Sequence, residues 1–232
     1  MKLRERWVPL LGTVLLVILC TALPFLWFAA RDRQLDASCW RADPASDFLS
    51  AAGRENAVAR ELYFWRQQPT EALPYVQPTE SVTARQEVQP YLAALRTAGV
   101  LPESFLNAAD ELVTQATQCL SSDLESNQIS YYFSDENSRN LTLTVSQYGT
   151  LTAVNGDLGL QDGFVPADVA AAYCTMLGLD SFTDWEDAEP LGYGAPAPYY
   201  SADAQLYLVA NIDRGYFSMS VTSMAPYAYA GL

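Results

Sequence analysis

The feature that most constrains this chain is an uncharged stretch of 24 residues from Trp7 to Ala30. As a helix this stretch would be about 36 Å long, enough to cross a hydrocarbon core of about 30 Å. Trp7 and Trp27 lie near its two ends, where indole rings favour the membrane interface. The sequence therefore predicts a single transmembrane helix over 7–30, preceded by a six-residue cytoplasmic stub, 1–6.

The orientation of this segment depends on its basic flanks. Three basic residues precede it and three follow it closely, so the flanking charges alone do not choose a direction. The short stub and the large following region favour a signal-anchor with the C-terminal part extracytoplasmic. A cleaved signal peptide is the alternative. The flanking residues are Lys2, Arg4 and Arg6, then Arg31, Arg33 and Arg41.

Charge and missing residue types exclude several functions. After residue 30 the chain carries 10 basic and 26 acidic residues, a net charge of −16, which excludes nucleic-acid binding. The chain contains no histidine and no lysine after Lys2. These absences remove the usual bases, zinc ligands and lysine-dependent chemistry. We expect no cofactor and no enzymatic activity.

The cysteines leave the question of a disulfide open. Cys20 lies inside the uncharged stretch, so Cys39, Cys119 and Cys174 allow one intramolecular disulfide among three pairings. Cys119 and Cys174 fall on apolar sides of predicted helices, which favours buried single thiols. Cys39, close to the membrane segment, is a candidate for pairing between two chains.

Residues 31–80 are predicted to form a juxtamembrane region. Asp43 and Pro44 suit a helix start, and a helix is expected from Pro44 to Gln68. The aromatic side chains of Tyr63 and Trp65 in this helix are interpreted as core, with a membrane-lying or partner-binding face as the alternative. The segment from Pro69 to Glu80 holds three prolines and is predicted to be a linker. An α+β domain is expected over 81–232.

Within that domain the hydrophobic period changes from helical to alternating. Apolar residues at helical spacing predict two helices that form a hairpin around Gly99, and a third helix that begins at Pro166. Leu141, Leu143 and Val145 alternate with polar residues, which indicates a half-buried strand. The predicted fold is α+β, with helices packed on antiparallel β-meanders. The helices are expected at 82–98, 102–120 and from 166, and the strands at 128–133, 141–146, 150–154, 199–200, 205–212 and 216–224.

Two segments of this domain have similar patterns. Residues 131–154 and 199–221 both begin Tyr-Tyr, pass a turn, and return through a turn glycine, Gly149 and Gly215. Each follows a helix that starts with proline. This pattern predicts a duplicated α-β-β-β unit with repeats at 100–156 and 164–224. The alternative is that any two meanders look alike.

The layout of residues 100–224 resembles that of single-pass membrane proteins of Gram-positive bacteria with PepSY-type ectodomains. The resemblance lies in a helix packed on a small antiparallel sheet, in tandem, without a specific motif residue. It implies a regulatory or interaction module rather than an enzyme.

Acidic residues provide candidate calcium ligands at Asp157, Asp162, Asp184, Glu186 and Asp187. The spacing after Asn155 departs from the EF-hand pattern at the fifth, sixth and twelfth positions. A solvated acidic surface is therefore favoured over a metal site. Paired carboxylates in a hydrolytic cleft are a further alternative that sequence spacing does not test.

Tyrosines are concentrated in the predicted sheet. Tyr131, Tyr199, Tyr200 and Tyr207 are candidates for stacking on a sugar or peptide, with packing in the core as the alternative. The leading hypothesis is a membrane-anchored extracytoplasmic module, held by Trp7–Ala30, that binds a partner protein in the membrane or envelope. The alternatives are a cell-wall glycan or peptide binder that uses a tyrosine-rich sheet face, and a carboxylate-dependent hydrolase.

Overall fold

The structure is a computed structural model that describes residues 21–23, 27, 49–66, 77–124, 128–160, 163–188 and 198–223. The chain divides between Asp47 and Phe48 into two compact units. In the first unit only Thr21–Leu23 and Trp27 are described, and all four are helical. No helix among the described residues is long and apolar enough to cross a membrane. Most of the predicted segment 7–30 lies outside the described residues.

The second unit confirms the predicted α+β class. Its described strands form one antiparallel sheet in the order β1-β2-β3-β4-β5-β9-β8-β7-β6. The helices are α1 (Ala51–Glu55), α2 (Ala57–Arg66), α3 (Ala84–Thr97), α4 (Glu103–Gln115) and α5 (Pro166–Met176). The strands are β1 (Thr79–Glu80), β2 (Gln118–Leu124), β3 (Gln128–Ser134), β4 (Asn140–Ser146), β5 (Leu151–Asp157), β6 (Glu186–Asp187), β7 (Tyr199–Ser201), β8 (Leu206–Asp213) and β9 (Tyr216–Thr222).

The sheet consists of two meanders that meet in the middle. Strands β2 to β5 pair consecutively after α4, and strands β6 to β9 pair consecutively after α5. The last strands of the two meanders, β5 and β9, pair with one another, with Val154 opposite Met219. The short strand β1 adds to the outer side of β2. The centre of the molecule is therefore where the two meanders join.

One face of the sheet is packed against the helices, and we call it the covered face. A continuous row across it joins Phe133, Leu141, Gly156 and Phe217 through direct cross-strand pairing. Helix α4 contacts β3 and β4, while α5 and α2 contact β8. The side chains of Phe133, Leu141 and Phe217 in this row are at most 1% exposed. Burial of apolar side chains on this face is the main source of the unit's stability.

The predicted helix from Pro102 to Leu120 is wrong at its C-terminal end. Helix α4 stops at Gln115, and Ala116 has extended dihedral angles, φ −50° and ψ 132°. The next residues form β2, in which Cys119 pairs with Phe133 and Leu120 with Tyr132. Apolar residues at Ala116, Cys119 and Leu120 satisfy helical spacing, but pairing with β3 decides their conformation.

The predicted helix from Pro44 to Gln68 is two helices in its described part. Asn56 breaks it with φ −77° and ψ 123°. Its side chain accepts a hydrogen bond from the Ala59 N–H and donates one to the Gly178 carbonyl. Ser223 donates a hydrogen bond to the Leu62 carbonyl. Residues 49–66 therefore belong to the same unit as the sheet, and the division observed falls at residue 47 rather than in the predicted linker.

The predicted linker ends within the sheet. Thr79 and Glu80 pair with Ser121 and Leu120 as β1. The remainder of the linker that was predicted from Pro69, up to residue 76, lies outside the described residues.

Candidate functional site: the open face of the sheet

The face of the sheet opposite the helices, which we call the open face, has an uncharged and mainly polar centre. Its centre is built from the five strands β3, β4, β5, β9 and β8, and every one of its side chains is partly exposed. None of these side chains carries a charge, although the chain has a net charge of −14. The ten central residues are Ser130, Tyr132, Thr142, Thr144, Ala153, Asn155, Val209, Asn211, Ser218 and Ser220.

The alternation of each strand creates this surface. Successive side chains point to opposite sides of a strand, so Thr142 and Thr144 face outward because Leu141 and Leu143 face the helices. Threonine favours strands, since its branched side chain packs well on a pleated surface. Neighbouring hydroxyl groups contact each other across strands, with 3.5 Å between the Ser130 and Thr144 oxygens. The result is a layer in which most side chains are small and able to form hydrogen bonds.

Carboxylates lie around the uncharged centre. Pairing places Glu80 beside Leu120 at one edge and Glu186 beside Tyr200 at the other. Asp157 and Asp213 lie opposite Tyr216 at the ends of their strands. Arg214 forms a long ion pair with Asp213, with 3.9 Å between its Nε and the carboxylate oxygen, and both side chains are mainly exposed. The open face thus has an uncharged centre and a mainly acidic rim.

The structure separates the predicted tyrosines. Tyr200 and Tyr207 are direct cross-strand partners on the open face, with ring centroids 4.6 Å apart and ring planes inclined by 36°. Tyr199 lies on the other face and packs against the hydrophobic core. Tyr131 also faces the helices and is 7% exposed. Of the four sheet tyrosines predicted to bind, two therefore lie on the open face.

The environment of Tyr131 is that of a core residue. Burial, and to a lesser degree the carboxylate of Glu87, raises the pKa of its hydroxyl to about 12. Its neighbour Tyr132 points to the open face. Alternation along a strand indicates this difference, because the two members of a Tyr-Tyr pair must face opposite sides of the sheet.

The two aromatic candidates in the first helices do not add to the open face. Tyr63 is 4% exposed, so its ring is packed inside the unit. The side chain of Trp65 lies outside what the structure describes, although its backbone belongs to α2.

The predicted calcium ligands have separate structural roles. Asp184 accepts hydrogen bonds from the Ser201 hydroxyl at 2.6 Å and from the Asp203 N–H at 2.8 Å. Burial opposes ionisation of Asp184, but these hydrogen bonds outweigh it and lower the pKa of the carboxyl. Asp157 accepts a hydrogen bond from the Gly159 N–H.

The remaining acidic candidates do not converge on a metal position. Glu186 and Asp187 are consecutive in β6 and therefore point to opposite sides of the sheet. Asp162 lies outside the described residues. Within the described ranges there is no group of three or more acidic, cysteine or histidine residues able to hold a metal ion.

A cleft of about 270 Å³ lies between the α3–α4 turn and the start of α5. Its lining is mainly apolar, and Asp168 is the acidic residue among the side chains that line it. Glycoside hydrolysis uses two carboxyl groups that flank one bond. The cleft therefore does not supply the pair that the hydrolase alternative requires. The lining residues are Gly99, Val100, Leu101, Pro102, Phe164, Val165, Asp168 and Val169.

The two described cysteines are free and buried. Cys119 lies in β2 and Cys174 in α5, and neither forms a disulfide. Burial, together with the nearby charge of Asp180, raises the pKa of the Cys174 thiol to about 11. A thiol with this pKa is a poor nucleophile at neutral pH. Cys39 lies outside the described residues.

Comparisons of this chain with protein-family models, with curated proteins and with solved structures find no significant match. The function is therefore inferred from the geometry of the open face.

Proposed function

We propose that this chain is a membrane-anchored, non-enzymatic interaction module that binds a partner protein through the open face of its sheet. The observation that carries the proposal is an uncharged, tyrosine-flanked centre on a strongly acidic protein. Charged residues are depleted at the centres of protein interfaces, and tyrosine is enriched there. The charged residues elsewhere on the chain favour solubility, while the centre of the open face carries none.

The size of the open face suits a protein partner. Six strands, β2 to β5, β9 and β8, have seven or eight residues each. At about 4.8 Å spacing they span roughly 29 Å, and seven residues at about 3.4 Å extend roughly 23 Å. This gives a surface of about 660 Å², which approaches the roughly 800 Å² that each partner contributes to a standard interface. A single sugar or a short peptide would cover only part of it.

With a membrane anchor, even a modest affinity for a partner protein can be sufficient for function. We propose that Trp7–Ala30 spans the membrane and that the sheet unit lies on the extracytoplasmic side. Its length and lack of charge support this proposal. Confinement to a membrane surface raises the effective concentration of a partner in the same membrane, so a weak interface suffices.

We also propose that the open face arose by duplication of a helix-plus-meander unit. In the first meander Tyr131 pairs with Leu143, and in the second Tyr199 pairs with Leu208. The two Tyr-Tyr pairs thus occupy corresponding positions, and each contributes its second tyrosine to the open face. This arrangement fits the tandem layout of PepSY-type ectodomains, which are interaction or regulatory modules.

The test is site-specific photocrosslinking of the full chain in the membrane of intact cells. A benzophenone amino acid replaces Ser218 at the centre of the open face, and the matched control places it at Ala93, an exposed position on α3. We expect a discrete protein adduct from position 218, identified by mass spectrometry, and none from position 93. Equal adducts at both positions, or adducts from position 93 alone, would contradict the proposal.

A second candidate function is binding of a cell-wall glycan or peptide at the Tyr200–Tyr207 pair. Two tyrosine rings at an edge of the open face favour it, because aromatic rings stack on sugars and extended peptides. Sedimentation of the detergent-solubilised protein with purified cell-wall polymer tests this candidate. If the protein pellets with the polymer and Tyr207→Leu abolishes this, the candidate is supported. If the unsubstituted protein does not pellet with the polymer, the candidate is excluded.

A further inference from the structure

We infer that Glu186, Tyr200 and Tyr207 form a site for a cationic side chain, arginine or lysine, presented by the partner protein. This inference rests on the proposed function and names the chemistry of one contact within it. The site lies at the β6 edge of the open face, away from the uncharged centre.

The register of three strands brings these residues together. Glu186 of β6 is the direct partner of Tyr200 in β7, and Tyr200 is the direct partner of Tyr207 in β8. Direct cross-strand partners place their side chains on the same face, with Cβ atoms about 5 Å apart. A carboxylate and two aromatic rings therefore form one row, although Glu186 and Tyr207 are separated by 21 positions in sequence.

The three side chains of the row retain exposed surface. Glu186 is exposed, and both tyrosines are partly exposed. Their rings are 4.6 Å apart and inclined by 36° rather than parallel. No described ion pair involves Glu186, so the carboxylate is not already neutralised by a described basic residue.

The chemistry of this row selects a cation. The faces of aromatic rings carry partial negative charge and attract ammonium and guanidinium groups. A carboxylate beside the rings adds Coulomb attraction and accepts hydrogen bonds from the same group. Arginine suits the row best, because its planar guanidinium group can stack on a tyrosine ring and donate hydrogen bonds to a carboxylate at the same time. The net charge of −14 further attracts basic partners during the encounter.

The experiment uses the full-length protein in detergent micelles with ¹³C-labelled tyrosine rings, followed by NMR. The probe is the peptide acetyl-Ala-Arg-Ala-Arg-Ala-amide, and the matched control replaces both arginines by citrulline, which has nearly the same shape but no charge. We expect saturable shifts of the Tyr200 and Tyr207 resonances with the arginine peptide, no such shifts with the citrulline peptide, and an unchanged Tyr132 resonance. Glu186→Gln should weaken the apparent affinity about three- to fivefold, while Glu136→Gln, at an exposed turn of the first meander, should not change it.

Several outcomes would overturn the inference. Equal shifts with the citrulline peptide would show that charge is not recognised, and equal weakening by both glutamine variants would show a non-specific field. Tighter binding of tetramethylammonium than of the arginine peptide would point to a small amine or a lipid headgroup instead of a partner's side chain. Tyr207→Leu provides a second test, with the same expected loss of affinity.

Failure here is distinguishable from failure of the proposed function. A crosslinked partner at position 218 without arginine binding would leave the docking function standing and remove the cation site. Arginine binding without any crosslinked partner would leave the cation site standing and remove the proposed docking of a protein on the open face.

Discussion

The two faces of the sheet are built from the same strands and differ residue by residue. In β9, Phe217 and Met219 are buried on the covered face, while Ser218 and Ser220 between them are partly exposed on the open face. The covered face holds large apolar side chains, whereas the centre of the open face holds mainly serine, threonine and asparagine side chains. One face thus buries most of the apolar surface that maintains the fold, and the other carries the surface that we propose for binding.

The comparison implies that a substitution on the covered face lowers the stability of the protein more than a similar substitution on the open face. Core truncations leave cavities that the surrounding structure fills only partly. Substitutions at partly exposed polar positions change stability little. The following predictions test this difference through pairs of variants, all in the full-length protein in mild detergent.

The largest effect is expected for Phe217→Ala. The Phe217 ring is 1% exposed and packs edge-on against Phe105, with centroids 5.5 Å apart. Its truncation should lower the free energy of unfolding by about 4 kcal/mol. Ser218→Ala, the adjacent residue on the open face, should change it by less than about 0.5 kcal/mol. Urea unfolding followed by circular dichroism measures both, and similar losses would contradict the division between the faces.

Gly156→Ala tests how closely the strands approach each other in the middle of the sheet. A Cβ atom at Gly156 would overlap the backbone carbonyl of Asn140 in the adjacent strand. Because β5 is paired on both sides, the strands have little room to separate, and we expect a loss of about 2–3 kcal/mol. The control is Gly163→Ala, where no atom of the described residues lies within 4 Å of the added carbon. A loss at residue 163 as large as that at residue 156 would refute the explanation.

Removal of one hydroxyl group gives a smaller contrast. Tyr173 is fully buried, and its hydroxyl donates to the Leu151 carbonyl at 2.6 Å. Tyr173→Phe should destabilise the protein by about 1.5 kcal/mol, because the carbonyl is left buried without its donor. Tyr207→Phe on the open face should be nearly neutral in thermal unfolding. A larger loss for residue 207 would mean that the open face contributes to stability after all.

The smallest contrast concerns two acids near β6 and depends on pH. Asp184→Asn should cost about 1 kcal/mol at pH 7, since the charged carboxylate accepts two short hydrogen bonds. The folded pKa of Asp184 is lowered, so its contribution is complete above the unfolded pKa of about 3.9 and is lost as pH falls through the folded pKa. The two proteins should therefore converge in stability towards pH 2. Exposed Glu186→Gln should change the free energy of unfolding at pH 7 by less than about 0.5 kcal/mol. A difference for Asp184→Asn that stays constant with pH would contradict this account.

The sequence predicted the parts of the fold in which local pattern and tertiary pairing agree. Strand β4 has strict alternation, and α5 has a proline at its start and a glycine after its end, so both were predicted close to their observed bounds. Strand β2 was not predicted, because its first apolar residues, Cys119 and Leu120, satisfy helical spacing and only pairing with β3 makes them extended. Strands β1 and β6 have two residues each and are too short to show any period.

The candidate site was predictable only in outline. Alternation indicates which residues share a face, but it does not show which face the helices cover. Tyr131 was chosen by residue type, whereas Tyr132 beside it is the one on the open face. The adjacency of Glu186, Tyr200 and Tyr207 depends on the register between three strands, which distant parts of the chain determine.

The most direct measurement of the central claim combines crosslinking with one charge on the open face. Thr144→Arg is introduced into the full chain that carries the photocrosslinker at position 218, and adduct yield in cells is measured beside the free energy of unfolding. We predict that the adduct disappears while stability changes by less than about 0.5 kcal/mol, because Thr144 is partly exposed and lies outside the core. An adduct of undiminished yield in a protein of unchanged stability would show that the open face is not the binding surface.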